Sequence, residues 1–239
     1  MRKLIVNVYQ SIVTSRWSMV DSQWSLGSRK WSLVIGAILI TSFSSFAQYP
    51  GYATISDLPS FKKQFAIEAK KIQSIKSAFV QEKNLSVLAE KITSEGNFNF
   101  KRENKVRIAY EKPFSYIMIM NGDQMLVKDN QKENKVNVKS NKLFQQVNKI
   151  MVDCVQGTIL DNKDFTVKVF QNDKNWLLEM TPVGKGLKEF FQTILVYADK
   201  HDYSVSSIDM REPSGDNTLI RFTHKELNTA IPDALFAIK

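Results

Sequence analysis

A single cysteine, Cys154, rules out a disulfide framework and any thiolate metal cluster within one chain. Nine glycines and six prolines in 239 residues exclude collagen-like or linker-like character. The two histidines, His201 and His224, fall on different predicted strands, and neither H-E-x-x-H nor C-x-x-C occurs, so nothing supports a zinc site. There is no G-x-S-x-G elbow, no P-loop and no G-x-G-x-x-G; Gly184-Lys185-Gly186 alone is loop punctuation. No carboxylate pair stands out among the acids. Cys154 sits on the apolar stripe of its predicted helix, which suits a buried structural thiol better than a nucleophile. The case for an enzyme is weak, and no cofactor or metal is expected.

What is present is apolar and aromatic. The chain is 43% hydrophobic, with fifteen Phe, seven Tyr and four Trp, enough for a real core. Its formal net charge is +9, from 33 basic and 24 acidic side chains. Part of that excess belongs to the N-terminus. Trp31–Ser42 carry no charge, follow Arg29-Lys30, and precede the small-x-small sequence Ser45-Phe46-Ala47. A basic region, a short apolar run and such a site make a secretory leader. The run is shorter than the roughly 20 residues that a spanning helix needs. Cleavage after Ala47 is expected, giving a leader over 1–47 and a single domain over 48–239; translation from Met19 would shorten the leader. Residues 1–47 contain five basic residues (Arg2, Lys3, Arg16, Arg29, Lys30) and the acid Asp21, so the remaining 192 residues carry +5. That charge forms no patch or stripe, and no nucleic-acid partner is expected. No cysteine stands directly after the apolar run, Cys154 lying far downstream, so no N-terminal lipid anchor is expected.

Ser56-Asp57 before Leu58-Pro59 marks a helix start, and Leu58, Phe61, Phe65, Ala69 and Ile72 recur at helical spacing. From about Lys76 the period becomes two. Phe98 and Phe100, then Val106, Ile108 and Tyr110, alternate with polar residues; Tyr116–Met120 is apolar throughout, and Asn121-Gly122-Asp123 turns the chain into Met125–Val127. A weaker polar strand is expected at Lys135–Lys139. Leu143, Phe144, Val147, Ile150, Met151, Cys154 and Val155 return to helical spacing, with Gly157 as a stop. Strands follow at Phe165, Val167 and Val169, and at Trp176, Leu178 and Met180. A short helical or irregular crossing from Gly184 to Phe191 leads to strands at Thr193–Ala198, Tyr203–Glu212 and Asn217–Leu227. The pattern predicts a mainly β (α+β) fold: an incomplete antiparallel barrel or highly curved sheet of about eleven strands, with two or three helices on one side.

The order of four motifs carries a resemblance. Phe79-Val80-Gln81 follows the first helix; Gly96-Asn97-Phe98-Asn99-Phe100-Lys101-Arg102 comes next; an aromatic-containing strand then ends at Pro113, and Asn121-Gly122 opens the following hairpin. This resembles the LolA family of periplasmic outer-membrane lipoprotein carriers, from about Asp57 to the C-terminus. The resemblance implies a periplasmic monomer whose helices form a lid over a hydrophobic cavity. It implies acylated lipoprotein cargo, received from an inner-membrane ABC exporter and passed to an outer-membrane acceptor. It also implies that Arg102 hydrogen-bonds to lid backbone and governs closure. Many members have Pro after that Arg; Glu103 stands here. In a strand Arg102 would share a face with Phe98 and Phe100, and its five donors need acceptors at the rim.

The candidate cavity residues, beside Arg102, are Phe79, Phe98, Phe100, Ile108, Tyr110, Met118, Met120, Phe165, Val167, Trp176, Leu178 and Met180. Periodicity alone fits a filled core equally well. Two alternatives stay open: a module of the same fold for another amphiphile, such as a glycolipid or acylated pigment, and an envelope stress sensor.

Overall fold

Asp57 starts the first helix: its carboxylate accepts the Ser60 backbone N–H at 2.9 Å, and Pro59 occupies the first turn, where its missing N–H costs nothing. Helix α1 (Leu58–Lys71) ends on Lys70 and Lys71, placed favourably against the negative end of its dipole. The computed structural model describes residues 48–102, 104–129, 133–137, 150 and 152–238. The expected leader over 1–47, Glu103, and the helix positions Leu143, Phe144, Val147 and Met151 lie outside the described residues.

Beyond the two-residue β1 (Ala53–Thr54), eleven strands alternate in direction. They are β2 (Ser74–Leu85), β3 (Glu90–Lys101), β4 (Lys105–Lys112), β5 (Tyr116–Asn121), β6 (Gln124–Asp129) and β7 (Glu133–Asn137), then β8 (Phe165–Gln171), β9 (Asn175–Pro182), β10 (Thr193–Asp199), β11 (Val205–Arg211) and β12 (Asn217–Leu227). All pair antiparallel in one sheet of order β1-β8-β9-β10-β11-β12-β2-β3-β4-β5-β6-β7. Pairing of β12 with β2 joins the last strand to the first long one, and the edges β1 and β7 leave the sheet unclosed. This is the expected highly curved, incomplete barrel.

Residues 152–156 form helix α2, and Lys185–Lys188 form the one-turn α3 inside the expected crossing. Three boundaries differ from the periodicity. Tyr203 has a left-handed φ of 59° in the β10–β11 turn, so β11 starts at Val205. His201 lies in that turn rather than in a strand. The polar strand β7 begins earlier than expected, at Glu133.

Antiparallel partners share a face of the sheet, so the register sorts the side chains. One row across it runs Leu227, Ile75, Phe100, Val106, Met120, Met125; another runs Phe222, Phe79, Gly96, Tyr110. On the other half, Ile208, Val196, Leu178 and Val169 align in the same way. The helices cover this inner face. Phe61 and Phe65 of α1 pack with Leu178, Met180 and Ile194, while Ile72 and Val155 pack with Phe100 and Met120. On the outer face, the C-terminal segment places Ile231 and Phe236 against Ile119 and Leu126.

Candidate functional site

The twelve apolar candidates lie on one face, the face under the helices. Gly96 sets the spacing there. A Cβ at Gly96 would collide with the Ala109 carbonyl oxygen and lie 2.9 Å from Cζ of Phe79, so the close approach of β3, β4 and the Phe79 ring requires glycine. Phe79 meets Tyr110 edge-on at 4.9 Å, Tyr110 stacks on Tyr116 at 4.2 Å, and Phe98 meets Phe222 at 5.2 Å.

Burial divides the candidates. Phe100, Leu178 and Met180 are 0% exposed, and Phe79, Phe98, Met120 and Phe165 are also buried, so helices and neighbouring strands enclose them in this conformation. Ile108, Tyr110, Met118, Val167 and Trp176 are only partly buried. The candidates also separate into two clusters. Phe79, Phe98, Phe100, Ile108, Tyr110, Met118 and Met120 pack together; Phe165, Val167, Trp176, Leu178 and Met180 form the other group with α1. Helix α2 bridges them through Cys154 in one cluster and Val155 in the other.

Arg102 lies just past the end of β3 and turns to α1. Its Nε donates to the Ile72 carbonyl at 2.8 Å and its terminal nitrogen to the Ala69 carbonyl at 2.7 Å; its backbone N–H donates to the Gln73 carbonyl at 2.9 Å. The last carbonyls of a helix lack intrahelical partners, and a cation there also meets the negative end of the dipole. Arg102 therefore ties the C-terminus of α1 to the β3–β4 corner.

Sequence reading missed several inner-face residues. Ile220 and Phe222 belong to it, but β12 carries a register shift between Thr223 and Glu226, with His224 at φ 52°, which breaks the alternation. Asn228 was missed as well: its Oδ1 accepts the Gln73 N–H at 2.7 Å, on the other side of the α1–β2 junction from Arg102. Tyr110 donates its hydroxyl to Gln81 Oε1 at 2.8 Å, and burial pushes its phenol above the usual range. Burial likewise raises the Cys154 thiol, with the neighbouring Asp153 carboxylate a smaller cause. Among the described residues no three His, Cys, Asp or Glu side chains gather as metal ligands, and no helix is long and apolar enough to cross a membrane.

Residues 70–239 match the family described as "Outer membrane lipoprotein carrier protein LolA". The chain belongs to the LolA family. It is similar to an outer-membrane lipoprotein carrier protein of Methylibium petroleiphilum, 25% identical over 173 residues, which cover 71% of this chain and 79% of that protein. Among solved structures, it is similar to a LolA superfamily protein of Nitrosomonas europaea (10% identity, TM-score 0.40, covering 74% of this chain and 97% of that one). It is also similar to the lipoprotein LppX of Mycobacterium tuberculosis (10% identity, TM-score 0.41, covering 74% and 99%).

Proposed function

We propose that this LolA-family chain is a periplasmic chaperone that shelters the acyl chains of lipoproteins against the inner face of its sheet. In this reading it carries them from an inner-membrane ABC exporter to an outer-membrane acceptor. One observation carries the proposal: among the described residues the apolar face is covered by helices, packed on it through Phe61, Phe65, Ile72 and Val155 and hydrogen-bonded to it at one corner, not by a second sheet. Such a cover can move while the sheet stays intact. Each CH₂ transferred from water gains about 0.8 kcal/mol, so a few acyl chains supply ample free energy to displace α1 and α2. Phe and Met suit the task, because they offer area without imposing a single ligand shape. Arg102 is the latch: its acceptors are main-chain carbonyls, so closing requires no particular lid side chain.

Native mass spectrometry of the protein purified from periplasm tests the cargo. Bound triacylated lipoprotein is the expected result; a distinct lipid mass would transfer the function to another amphiphile. Arg102→Leu tests the latch. The variant is expected to load cargo but to release it to acceptor membranes with altered kinetics, and unaltered transfer would remove Arg102 from the mechanism.

A further inference from the structure

Among the described residues, one charged side chain is buried on the inner face. Lys83 lies on the same face of β2 as Phe79 and Gln81, paired in register with Ile92 on β3 and Thr218 on β12. Its side chain is 8% exposed, and its ammonium meets Glu212 Oε1 at 3.0 Å. Glu212 is held by the turn between β11 and β12: its N–H donates to the Asp216 carbonyl at 2.9 Å, and its own carbonyl accepts the Gly215 N–H at 3.1 Å. An ammonium has three donors. Glu212 takes one, and among the described residues no other acceptor meets it.

Two physical points turn this pair towards a ligand. A buried ion pair seldom adds stability over well-packed apolar residues of the same volume, so joining β2 to the β11–β12 turn does not require it. The pair also sits at the end of the inner face opposite Arg102, where Thr218, Ile92, Ile220 and Met210 are only partly buried. An acylated ligand is apolar along its tails and polar where they join, at ester and amide carbonyls. Each such carbonyl loses its water on entering an apolar site and needs a donor there.

Resting on the carrier reading above, we propose that Lys83, positioned by Glu212, is the anchor for the carbonyl oxygens that link acyl chains to the body of the ligand. The tails then run along the apolar rows towards Phe98 and Phe100. The anchor sets the register of the ligand and distinguishes an ester-linked lipid from a bare hydrocarbon.

The test compares two ligands on the purified full chain: a diacylglyceryl-cysteinyl peptide, and its dialkyl-ether counterpart with identical chain lengths. Wild type is expected to bind the ester form about tenfold more tightly, the equivalent of one hydrogen bond. Equal affinities in wild type overturn the anchor without any variant. Lys83→Met alone strands the Glu212 charge, so the informative variant is Lys83→Met with Glu212→Leu, which removes both charges. In it the gap should close to within about twofold, with affinity for the ether form retained. A gap that persists, or an equal loss for both ligands, makes the pair a structural staple and overturns the proposal. Failure of wild type to bind either ligand overturns the carrier reading itself and the anchor with it.

Discussion

Arg102 and Asn228 hold the same short stretch of backbone from two sides. Gln73 donates its N–H to Asn228 Oδ1 and accepts the Arg102 N–H at its carbonyl, while the guanidinium takes the carbonyls of Ala69 and Ile72. Ser74 adds a third tie, its hydroxyl donating to the Thr229 carbonyl at 2.6 Å. The junction between lid and sheet is thus fixed by polar contacts, whereas the sheet beneath is fixed by shape. Gly96 is where shape is least forgiving. Gly96→Ala drives a methyl group into the Ala109 carbonyl and the Phe79 ring, and neither backbone nor packed ring can withdraw cheaply. Overpacking of this kind costs about 3 kcal/mol, which lowers the melting temperature of a domain this size by roughly 6–12 °C. Thermal denaturation followed by circular dichroism checks it, and an unchanged transition would show that β3 and β4 can separate locally at no cost.

At the scale of elements, the two lid helices touch through a residue without a side chain. Gly157 follows α2 at φ 75°, and a Cβ there would lie 2.5 Å from the Ala69 Cβ and 3.2 Å from the Phe65 carbonyl oxygen. The end of α2 is further tied to its following loop, since Asp153 accepts Thr158 Oγ1 at 2.9 Å and Asn162 Nδ2 at 2.7 Å. Helices α1 and α2 are therefore expected to move together, and Cys154 reports on them. Its thiol is buried and its ionisation suppressed, so a disulfide reagent such as dithionitrobenzoate should react slowly with native protein, because the thiolate is the reactive form. Arg102→Leu removes two charge-assisted bonds, worth about 2 kcal/mol or more together, and should accelerate the reaction at least about tenfold if the lid opens as a unit. Rates equal to wild type would mean that α2 does not follow α1.

These elements were legible in the sequence to different degrees. Strands β3 and β4 could be read because one buried face forces alternation, as with Phe98 and Phe100 or Ile108 and Tyr110, whereas β5 and β6 read as continuous apolar runs because the C-terminal segment covers their outer face as well. Helix α1 announced itself through Asp57, Pro59 and the Phe61–Phe65 stripe. Strand β12 was blurred by its bulge, and β1 is too short to leave a pattern. Neither Lys83 nor Glu212 could be recognised, because Lys83 stands between Glu82 and Asn84 and Glu212 between Arg211 and Pro213, so each reads as part of a solvated polar stretch until the register places it inside.

At the scale of the whole molecule, the β3–β4 corner serves both faces of the sheet. Lys101 and Arg102 are consecutive and turn opposite ways. Arg102 reaches inward to the lid, while Lys101 reaches the C-terminal segment outside, donating to the Ile231 carbonyl at 3.1 Å and to Asp233 Oδ1 at 3.0 Å. Lys105 meets the same carboxylate at 2.9 Å, and Asn121 donates to the Phe236 carbonyl at 3.2 Å. The C-terminus is thereby strapped across the backs of the strands whose fronts carry the candidate ligand face. The two attachments respond differently to acid. Arg102 binds carbonyls, which do not titrate, whereas Asp233 binds as a carboxylate, its pKa lowered first by the hydrogen bonds from Lys105 and Lys101. A carboxyl group with a depressed folded-state pKa contributes stability that is fully present above its unfolded value of about 4, and that contribution is lost as the pH falls through the folded value. The difference in melting temperature between wild type and Asp233→Asn should therefore be constant from about pH 7 to pH 5 and shrink below about pH 4. Over the same range, amide exchange should rise in residues 231–238 before it rises in α1. A stability gap that stays undiminished at pH 2 would mean that Asp233 acts through contacts that do not depend on its charge, whereas no gap even at pH 7 would mean that the strap is held by Phe236 and its apolar contacts.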